Sequence, residues 1–205
     1  ITSNQVVDGS SATLARKAGH NPDKAEVADE WVYIYTEEPS YGKSIDVTGG
    51  WYDAGDYGKY IVNGGISLWT LMNMYERSVA VGKADKWADG TGTVVIPETN
   101  NNTPDILDEC KVELDFFLKM QREDGMMHDY KWTGLAVAPS QEGQPKRIVK
   151  PATYAATLNF AAACAQGARL FEDSDSAYAK TLKDAAVKAF KAAQDQYAPF
   201  TGFTD

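Results

Sequence analysis

The residues with the clearest potential for chemistry lie together at positions 46–60. This segment places two carboxylates, Asp53 and Asp56, three positions apart among four glycines and four aromatic rings. If residues 53–56 form a single turn, both carboxylates point to one side and can bind the same water molecule. One carboxylate then acts as a general base while its neighbour orients it. The segment therefore predicts a site that activates water.

The aromatic residues of the same segment indicate what such a site would bind. Trp51 and Tyr57 suit a sugar, because the C–H bonds of a sugar stack on aromatic rings while its hydroxyls need acceptors such as carboxylates. Two other interpretations stay open from these residues alone. One is a Gly/Asp turn whose aromatic side chains pack in the core. The other is a calcium site, although the aspartate spacing does not match an EF-hand loop.

The composition excludes several other classes of function. The 205 residues include 20 Lys and Arg against 29 Asp and Glu, without a run of basic residues, so we expect no nucleic-acid partner. The uncharged stretch 151–168 mixes Thr, Asn and Gln with Ala, which favours a protein core over a membrane. With two histidines and no Gly-x-Ser-x-Gly motif, nucleophilic catalysis has no support. Cys110 and Cys164 lie among apolar residues and are predicted to be buried free thiols.

The spacing of apolar residues predicts a mainly α-helical chain. Four helices are expected, over residues 66 to about 81, about 104 to 121, about 152 to 171 and about 177 to 197. In the first, Leu68, Leu71, Met72, Tyr75 and Val79 share one face. Thr103 is the expected N-cap of the second helix, and Ser174 or Ser176 that of the fourth. The first fifty residues and residues 122–150 show no convincing strand pattern.

The third predicted helix indicates how the four would pack. Its small, uncharged residues favour close packing against other helices on more than one side, which a small bundle would not provide. More protein is therefore expected around it. A globin, a bundle and a toroid of helical hairpins all remain open on this pattern.

Several segments together resemble a known family. Residues 49–60 resemble the signature near the start of the catalytic domains of glycoside hydrolase family 9, the inverting cellulases. Further segments resemble that family in the same order: residues 18–20, 104–109, 118–121, 125–128 and 155–159. The resemblance implies an (α/α)6 toroid of six helical hairpins. Because four helices are less than half of it, residues 1–205 are expected to be the N-terminal portion of such a domain, with the remainder on another chain or lost.

The resemblance also implies roles for particular residues. Asp56 matches the general base that activates water, and Asp53 matches its partner. Three residues fall in a loop that borders the substrate cleft in the family, so they join Trp51 and Tyr57 as candidates for sugar contacts: His128, Tyr130 and Trp132. The family's general acid is a Glu near the end of its catalytic domain. After Lys150 this chain has only Glu172, whose surroundings do not match the motif of that acid.

The resemblance further implies cofactors, partners and location. Hydrolysis of β-1,4-glucosidic bonds by this mechanism requires no cofactor, structural calcium stays open, and zinc is not supported because no Cys precedes Cys110. The expected partners are a β-glucan polysaccharide and a complementary C-terminal half, without which the fragment is expected to be inactive. We expect a secreted protein, and any targeting peptide or leading domain is expected to have been removed before Ile1. The alternatives are a non-catalytic carbohydrate-binding or structural helical fragment, or another (α/α) toroid hydrolase of polysaccharides.

Overall fold

Four helices dominate the structure. The computed structural model of the chain describes residues 23–28, 39–94, 96–132 and 147–196. Within them the helices are α1 (Ile61–Ala80), α2 (Asp105–Met120), α3 (Tyr154–Phe171) and α4 (Ser176–Asp195), with a short 3-10 helix at Ala84–Trp87. The predicted all-helical class is confirmed.

Helix α3 lies at the centre of the core, between α2 and α4. Phe160 of α3 packs against Phe117 of α2, with ring centroids 6.3 Å apart. At Gly167 an added Cβ atom would come within 3.0 Å of Leu182 on α4 and 3.2 Å of Leu114 on α2, so both neighbours approach this helix closely. The expectation that α3 packs on more than one side is confirmed.

The uncharged stretch that the sequence assigns to the protein interior is mostly part of α3. Among the helices of the described residues, none is both long and apolar enough to cross a bilayer. Cys110 on α2 and Cys164 on α3 are both buried and unbridged, as predicted. Burial raises the pKa of the Cys110 thiol to about 12, so this side chain behaves as a small apolar residue.

Helix α1 begins five residues earlier than the sequence predicts. Gly64 and Gly65 argue against a helix by propensity, but an added Cβ at Gly65 would lie 1.6 Å from Asn159 Oδ1 of α3. Close packing of α1 on α3 therefore requires glycine there and outweighs its low propensity. Val79 is exposed rather than on the buried face with Leu68 and Met72.

The predicted caps of two other helices were wrong. Pro104 occupies the N-cap position of α2, and Thr103 donates its backbone N–H to Asn101 Oδ1 instead of capping the helix. The N-cap of α4 is Asp175, whose carboxylate accepts the backbone N–H of Tyr178. The sequence offers Ser, Asp and Ser at three adjacent positions there, and propensity alone does not choose among them.

Short strands connect the helices, contrary to the sequence-based expectation. A five-stranded sheet has the order β2-β1-β6-β5-β3, and a separate pair joins β4 to β7. Their bounds are β1 (Lys24–Val27), β2 (Ser44–Asp46), β3 (Lys59–Tyr60), β4 (Met127–His128), β5 (Tyr130–Trp132), β6 (Ile148–Val149) and β7 (Ala152–Thr153). Strands of two to four residues are too short to show alternation in sequence. Helix α3 begins two residues after the predicted start at about 152, because Ala152 and Thr153 form β7.

Candidate active site

The candidate site is a loop between β2 and β3 that lies across helix α2. Gly49 and Gly50 have φ angles of +91° and +74°, which L side chains rarely adopt. A Cβ atom added at Gly50 would also come within 2.6 Å of the Phe116 ring. These glycines let the loop turn directly over α2 and reach β3, which leads into α1. The site thus rests on rigid elements beneath it.

The two aspartates lie on one tight turn of this loop. The backbone N–H of Tyr57 donates to Ala54 O at 3.1 Å, and that of Asp53 donates to Gly58 O at 2.8 Å. Tyr57 has a φ of +56°, a left-handed conformation that a non-glycine residue seldom adopts and that is typical of functional loops. The turn therefore covers residues 54–57, one residue later than the predicted 53–56, with Asp53 directly before it and Asp56 within it.

Different donors orient the two carboxylates. Asn63 Nδ2, in the first turn of α1, donates to Asp53 Oδ1 at 2.9 Å. Asp56 accepts the Gly58 N–H through Oδ1 at 2.9 Å and the Tyr60 hydroxyl through Oδ2 at 3.0 Å. Asp53 is exposed and Asp56 is half-buried. Both carboxylates are thus held at the surface of the turn.

The structure separates the two aromatic residues predicted to contact sugar. Trp51 is half-buried at the edge of the loop, where part of the indole can meet a ligand. Tyr57 is 7% exposed and packs edge-on against Tyr52 at a centroid distance of 5.2 Å. Tyr57 therefore packs in the core, as the alternative interpretation of the segment expects. Its contact with sugar stays a prediction, which the burial of the ring does not favour.

His128, Tyr130 and Trp132 lie on β4 and β5, beside the loop. Residues Tyr130 and Tyr60 are paired across β5 and β3, which brings β5 next to the start of α1. The sugar contacts predicted for Tyr130 and Trp132 concern side chains outside the described part of the structure. His128 is 2% exposed, with Nδ1 2.9 Å from Lys150 O and Nε2 3.3 Å from Ser40 Oγ. The ring is therefore buried between two segments.

A cavity next to His128 is separate from the aspartate turn. It has a volume of about 420 Å³ and is bordered by the turn at 39–45 and the end of α2, with neither aspartate among its walls. Its charged lining residues are Lys43, Lys119, Arg122, Glu123 and Asp124. The cations and anions are mixed, so the cavity has no evident preference for one sign of charge.

A buried lysine that the sequence pattern does not indicate supports the loop from beneath. Lys59 is 2% exposed and donates Nζ to Val47 O at 2.6 Å and to Asp23 Oδ2 at 3.3 Å. Burial lowers the pKa of Lys59, whereas the Asp23 carboxylate raises it. Arg147 pairs with the other oxygen of Asp23 at 2.5 Å. Lys59 thereby ties the start of the loop to its end.

Two glutamates of α2 also contact the loop. Glu113 Oε2 accepts the backbone N–H of Trp51 at 2.6 Å, and Glu109 Oε1 accepts the Trp51 indole N–H at 2.9 Å. Burial raises the pKa of Glu113 to about 8. The available signal in the sequence is that Glu113 follows Cys110 by three positions, on the apolar stripe of α2 where a carboxylate is unexpected.

The described residues do not form an evident metal centre. Among residues 23–28, 39–94, 96–132 and 147–196, no group of three or more His, Cys, Asp or Glu side chains is placed to hold an ion. The expectation of catalysis without a cofactor and the question of structural calcium stay predictions from the family resemblance.

Comparisons with known proteins agree on one family. The profile of glycosyl hydrolase family 9 matches residues 4–203. A cellulose 1,4-beta-cellobiosidase of Acetivibrio thermocellus is 47% identical over 91% of this chain and 23% of its own length. Endoglucanase C of Cellulomonas fimi is 42% identical over 90% of this chain and 18% of its own length.

Solved structures of the same family have a similar fold. A Bacteroides ovatus GH9 structure superposes with a TM-score of 0.74 at 33% identity, over 88% of this chain and 32% of that one. A metagenome-derived glycoside hydrolase family 9 endoglucanase gives 0.74 at 31% identity, over 93% of this chain and 32% of that one. The chain thus spans about a third of the solved relatives and less than a quarter of the two curated ones.

Proposed function

The chain belongs to glycosyl hydrolase family 9, and we propose that it forms the N-terminal portion of a catalytic domain that hydrolyses β-1,4-glucosidic bonds in cellulose or related β-glucans. The observation that carries this proposal is the turn at residues 53–58, which holds two carboxylates at the surface beside the half-exposed Trp51. The names of the similar cellobiosidase and endoglucanase support the substrate class.

In the proposed reaction Asp56 is the general base. An inverting glycosidase needs a carboxylate that takes a proton from a water molecule as the water attacks the anomeric carbon. The hydrogen bonds from Gly58 and Tyr60 hold the Asp56 carboxylate in one orientation. A carboxylate oxygen has two lone pairs, so a carboxylate can accept a protein donor and a water molecule together. Asp53, held by Asn63, orients the same water from the neighbouring position.

The general acid is proposed to come from the rest of the catalytic domain. An inverting enzyme places its acid about 6.5–9.5 Å from the base. Glu172 follows the C-terminal end of α3. The aspartate turn is near the other end of that helix, because Asn63 binds Asp53 and the adjacent Val62 O accepts a hydrogen bond from Asn159 of α3. Thirteen residues of helix separate Asn159 from Glu172 by about 20 Å. Glu172 is therefore too far away, and a complementary C-terminal portion is the proposed partner.

Trp51 is the proposed platform for a glucose ring. The faces of a pyranose that carry C–H bonds are apolar and pack on an indole, while the adjacent hydroxyls reach carboxylate acceptors. Trp51 lies two residues before Asp53, so a sugar stacked on the indole lies close to the turn. We further propose that the enzyme acts outside the cell, because a polymeric glucan is too large to be taken up before it is cleaved.

The test uses the complete protein that contains this chain, with soluble cellulose derivatives and cello-oligosaccharides as substrates. We expect release of reducing sugar, and proton NMR at early times should show the α-anomer at the new reducing end, because inversion converts a β-glucoside into an α-product. A xylan without β-1,4-glucosyl units serves as the control substrate. Initial formation of the β-anomer would reject the inverting mechanism, and inactivity on every glucan would reject the proposed function.

A further inference from the structure

Helix α2 holds Trp51 at two points, through its main chain and through its side chain. The backbone N–H donates to Glu113 Oε2 at 2.6 Å, and the indole N–H donates to Glu109 Oε1 at 2.9 Å. Glu109 and Glu113 are one helical turn apart, so they lie on the same side of α2. Because Asp53 follows Trp51 by two residues, a shift of the Trp51 backbone is passed directly to the aspartate turn.

The surroundings of Glu113 leave space for this carboxyl group and little else. The side chain is 1% exposed, and a Cβ atom added at Gly64 of α1 would come within 2.2 Å of Glu113 Oε1. Oε1 itself has no hydrogen-bond partner among the described residues. A buried carboxyl that keeps one oxygen unpaired is costly to the fold. Among the described residues, its hydrogen bond to the loop is the one from the Trp51 N–H.

Burial has the largest influence on the protonation of Glu113, and its neighbours modify it. Burial raises its pKa to about 8, the Trp51 N–H and Lys59 on β3 act in the opposite direction, and Glu109 adds to the rise. Below pH 8 the carboxyl is therefore mostly neutral, which removes repulsion between the two glutamates of the same helix face. A glutamine has the shape of this neutral acid and retains an oxygen that accepts the Trp51 N–H.

We propose that Glu113 and Glu109 are positioning residues that fix Trp51 on α2 and thereby set the place of the Asp53–Asp56 turn relative to the bound glucan. The inference rests on the proposed glycosidase function of that turn. Neither glutamate touches the reacting atoms. Glu113 sets the main chain that leads into the turn, whereas Glu109 sets the orientation of the indole on which the sugar stacks. Their removal therefore has separable kinetic effects.

Substitutions in the complete enzyme test the role of Glu113. Glu113→Gln should keep kcat within about twofold, because the amide oxygen still accepts the Trp51 N–H. Glu113→Ala should lower kcat at least tenfold with a smaller change in KM, since a displacement of about 1 Å in a catalytic group can cost about 100-fold. Rescue by glutamine separates the hydrogen bond from the charge.

The role of Glu109 is tested in the same way. Glu109→Ala should raise KM for cello-oligosaccharides several-fold and leave kcat within about threefold, because the indole loses its fixed orientation while the turn keeps its place. Glu109→Gln should restore KM, because its amide oxygen accepts the indole N–H. A Glu109→Ala enzyme with the KM of the wild type would overturn this half of the proposal.

Asp105 provides the matched control for a loss of stability. It is another buried carboxyl of α2, and it accepts the backbone N–H of Gly90 at 2.9 Å, away from Trp51. Asp105→Ala should lower the melting temperature while kcat stays near that of the wild type. The positioning role of Glu113 is overturned if Glu113→Ala retains wild-type kcat, if glutamine does not rescue, or if Asp105→Ala lowers kcat to the same extent.

Hydrolysis by the wild type separates this inference from the proposed function. If the wild type is active and the variants give one of the overturning results named above, the positioning role of Glu113 fails while the glycosidase proposal stands. If the wild type is inactive on every β-glucan, the glycosidase proposal fails, and amide hydrogen exchange then decides the structural part. Residues 49–58 should exchange faster in Glu113→Ala than in Asp105→Ala, and equal exchange rates would overturn the link between α2 and the turn.

Discussion

At the scale of single residues, the orientation of the Asp56 carboxylate depends on the hydroxyl of Tyr60. The Tyr60 hydroxyl donates to Asp56 Oδ2 at 3.0 Å, and Tyr60 is the last residue before α1. The start of a helix therefore helps to orient the proposed base. A hydrogen bond to a charged group contributes about 1.5–3 kcal/mol, which is enough to affect the orientation of a side chain.

This bond predicts the effect of Tyr60→Phe. Removing the hydroxyl should lower kcat roughly tenfold and change KM less, because the Asp56 carboxylate loses one of the donors that orient it. Steady-state kinetics of the complete enzyme on a cello-oligosaccharide measure the effect. Tyr75→Phe, on the body of α1, is the control and should behave like the wild type. Unchanged kcat in Tyr60→Phe would contradict this account of Asp56.

Glu113 predicts a pH dependence of stability. Its pKa of about 8 lies above the ordinary value of 4.5, so the native state keeps a proton that the unfolded chain releases. The stabilisation is complete below about pH 4.5 and is lost as the pH rises towards 8. Glu113→Gln lacks this titration. Melting temperatures measured from pH 5 to pH 8 should therefore rise for the variant relative to the wild type, and parallel curves would show that Glu113 is not protonated in the fold.

The sequence identified the local part of the site and missed its supports. Asp53, Asp56 and Trp51 lie within six residues, so their types and spacing indicate a site without knowledge of the fold. Glu109 and Glu113 are 58 and 62 positions away from Trp51, and Lys59 is 36 positions away from Asp23. Contacts over such distances are set by tertiary packing, which a single sequence does not show.

At the scale of elements, the helices were predictable and the strands were not. Helices α2 to α4 extend over 16 to 20 residues, long enough for their apolar period to be clear. The start of α1 was not predicted, because Gly64 and Gly65 have low helix propensity. Both glycines are needed there because Glu113 and Asn159 approach the helix too closely for a larger residue. The strands pair mostly across long separations, such as β1 with β6. Their formation depends on the packed helices rather than on local pattern.

The correction at the start of α4 gives a prediction for that helix. Asp175→Ala should destabilise the fold by about 1 kcal/mol, because the backbone N–H of Tyr178 loses its acceptor. Ser176→Ala is the matched control at the adjacent position and should change stability by less than about 0.5 kcal/mol. Chemical unfolding of the complete domain measures both. A larger loss in Ser176→Ala than in Asp175→Ala would place the cap at the serine instead.

At the scale of the whole molecule, an apolar stripe on α1 is uncovered. Val62, Ile66 and Trp69 follow one another at helical spacing and are all exposed, and Leu158 on the neighbouring α3 is exposed as well. Because the chain spans about a third of the solved family members, we propose that this stripe packs against the remaining hairpins of the toroid. Exposed apolar patches of this kind favour association.

The stripe predicts the behaviour of residues 1–205 expressed alone. We expect this fragment to self-associate because its apolar stripe is exposed. We also expect no hydrolytic activity, because the proposed general acid belongs to the rest of the catalytic domain. Ile66→Gln together with Trp69→Gln should increase the monomeric fraction in size-exclusion chromatography with light scattering. Two exposed lysines of α4 offer the control pair, Lys183→Gln with Lys191→Gln, which should leave association unchanged. A fragment that is already monomeric would contradict the proposed packing of the stripe.

The most direct test of the central claim is the turnover of Asp56→Asn in the complete enzyme. General-base catalysis contributes about 100- to 10,000-fold, so we predict a loss of kcat in that range, with binding of cello-oligosaccharide within about twofold of the wild type. Asp173→Asn, an exposed aspartate after the opposite end of α3, should hydrolyse at the wild-type rate. If Asp56→Asn retains wild-type turnover, the turn does not supply the base and the proposed mechanism is wrong.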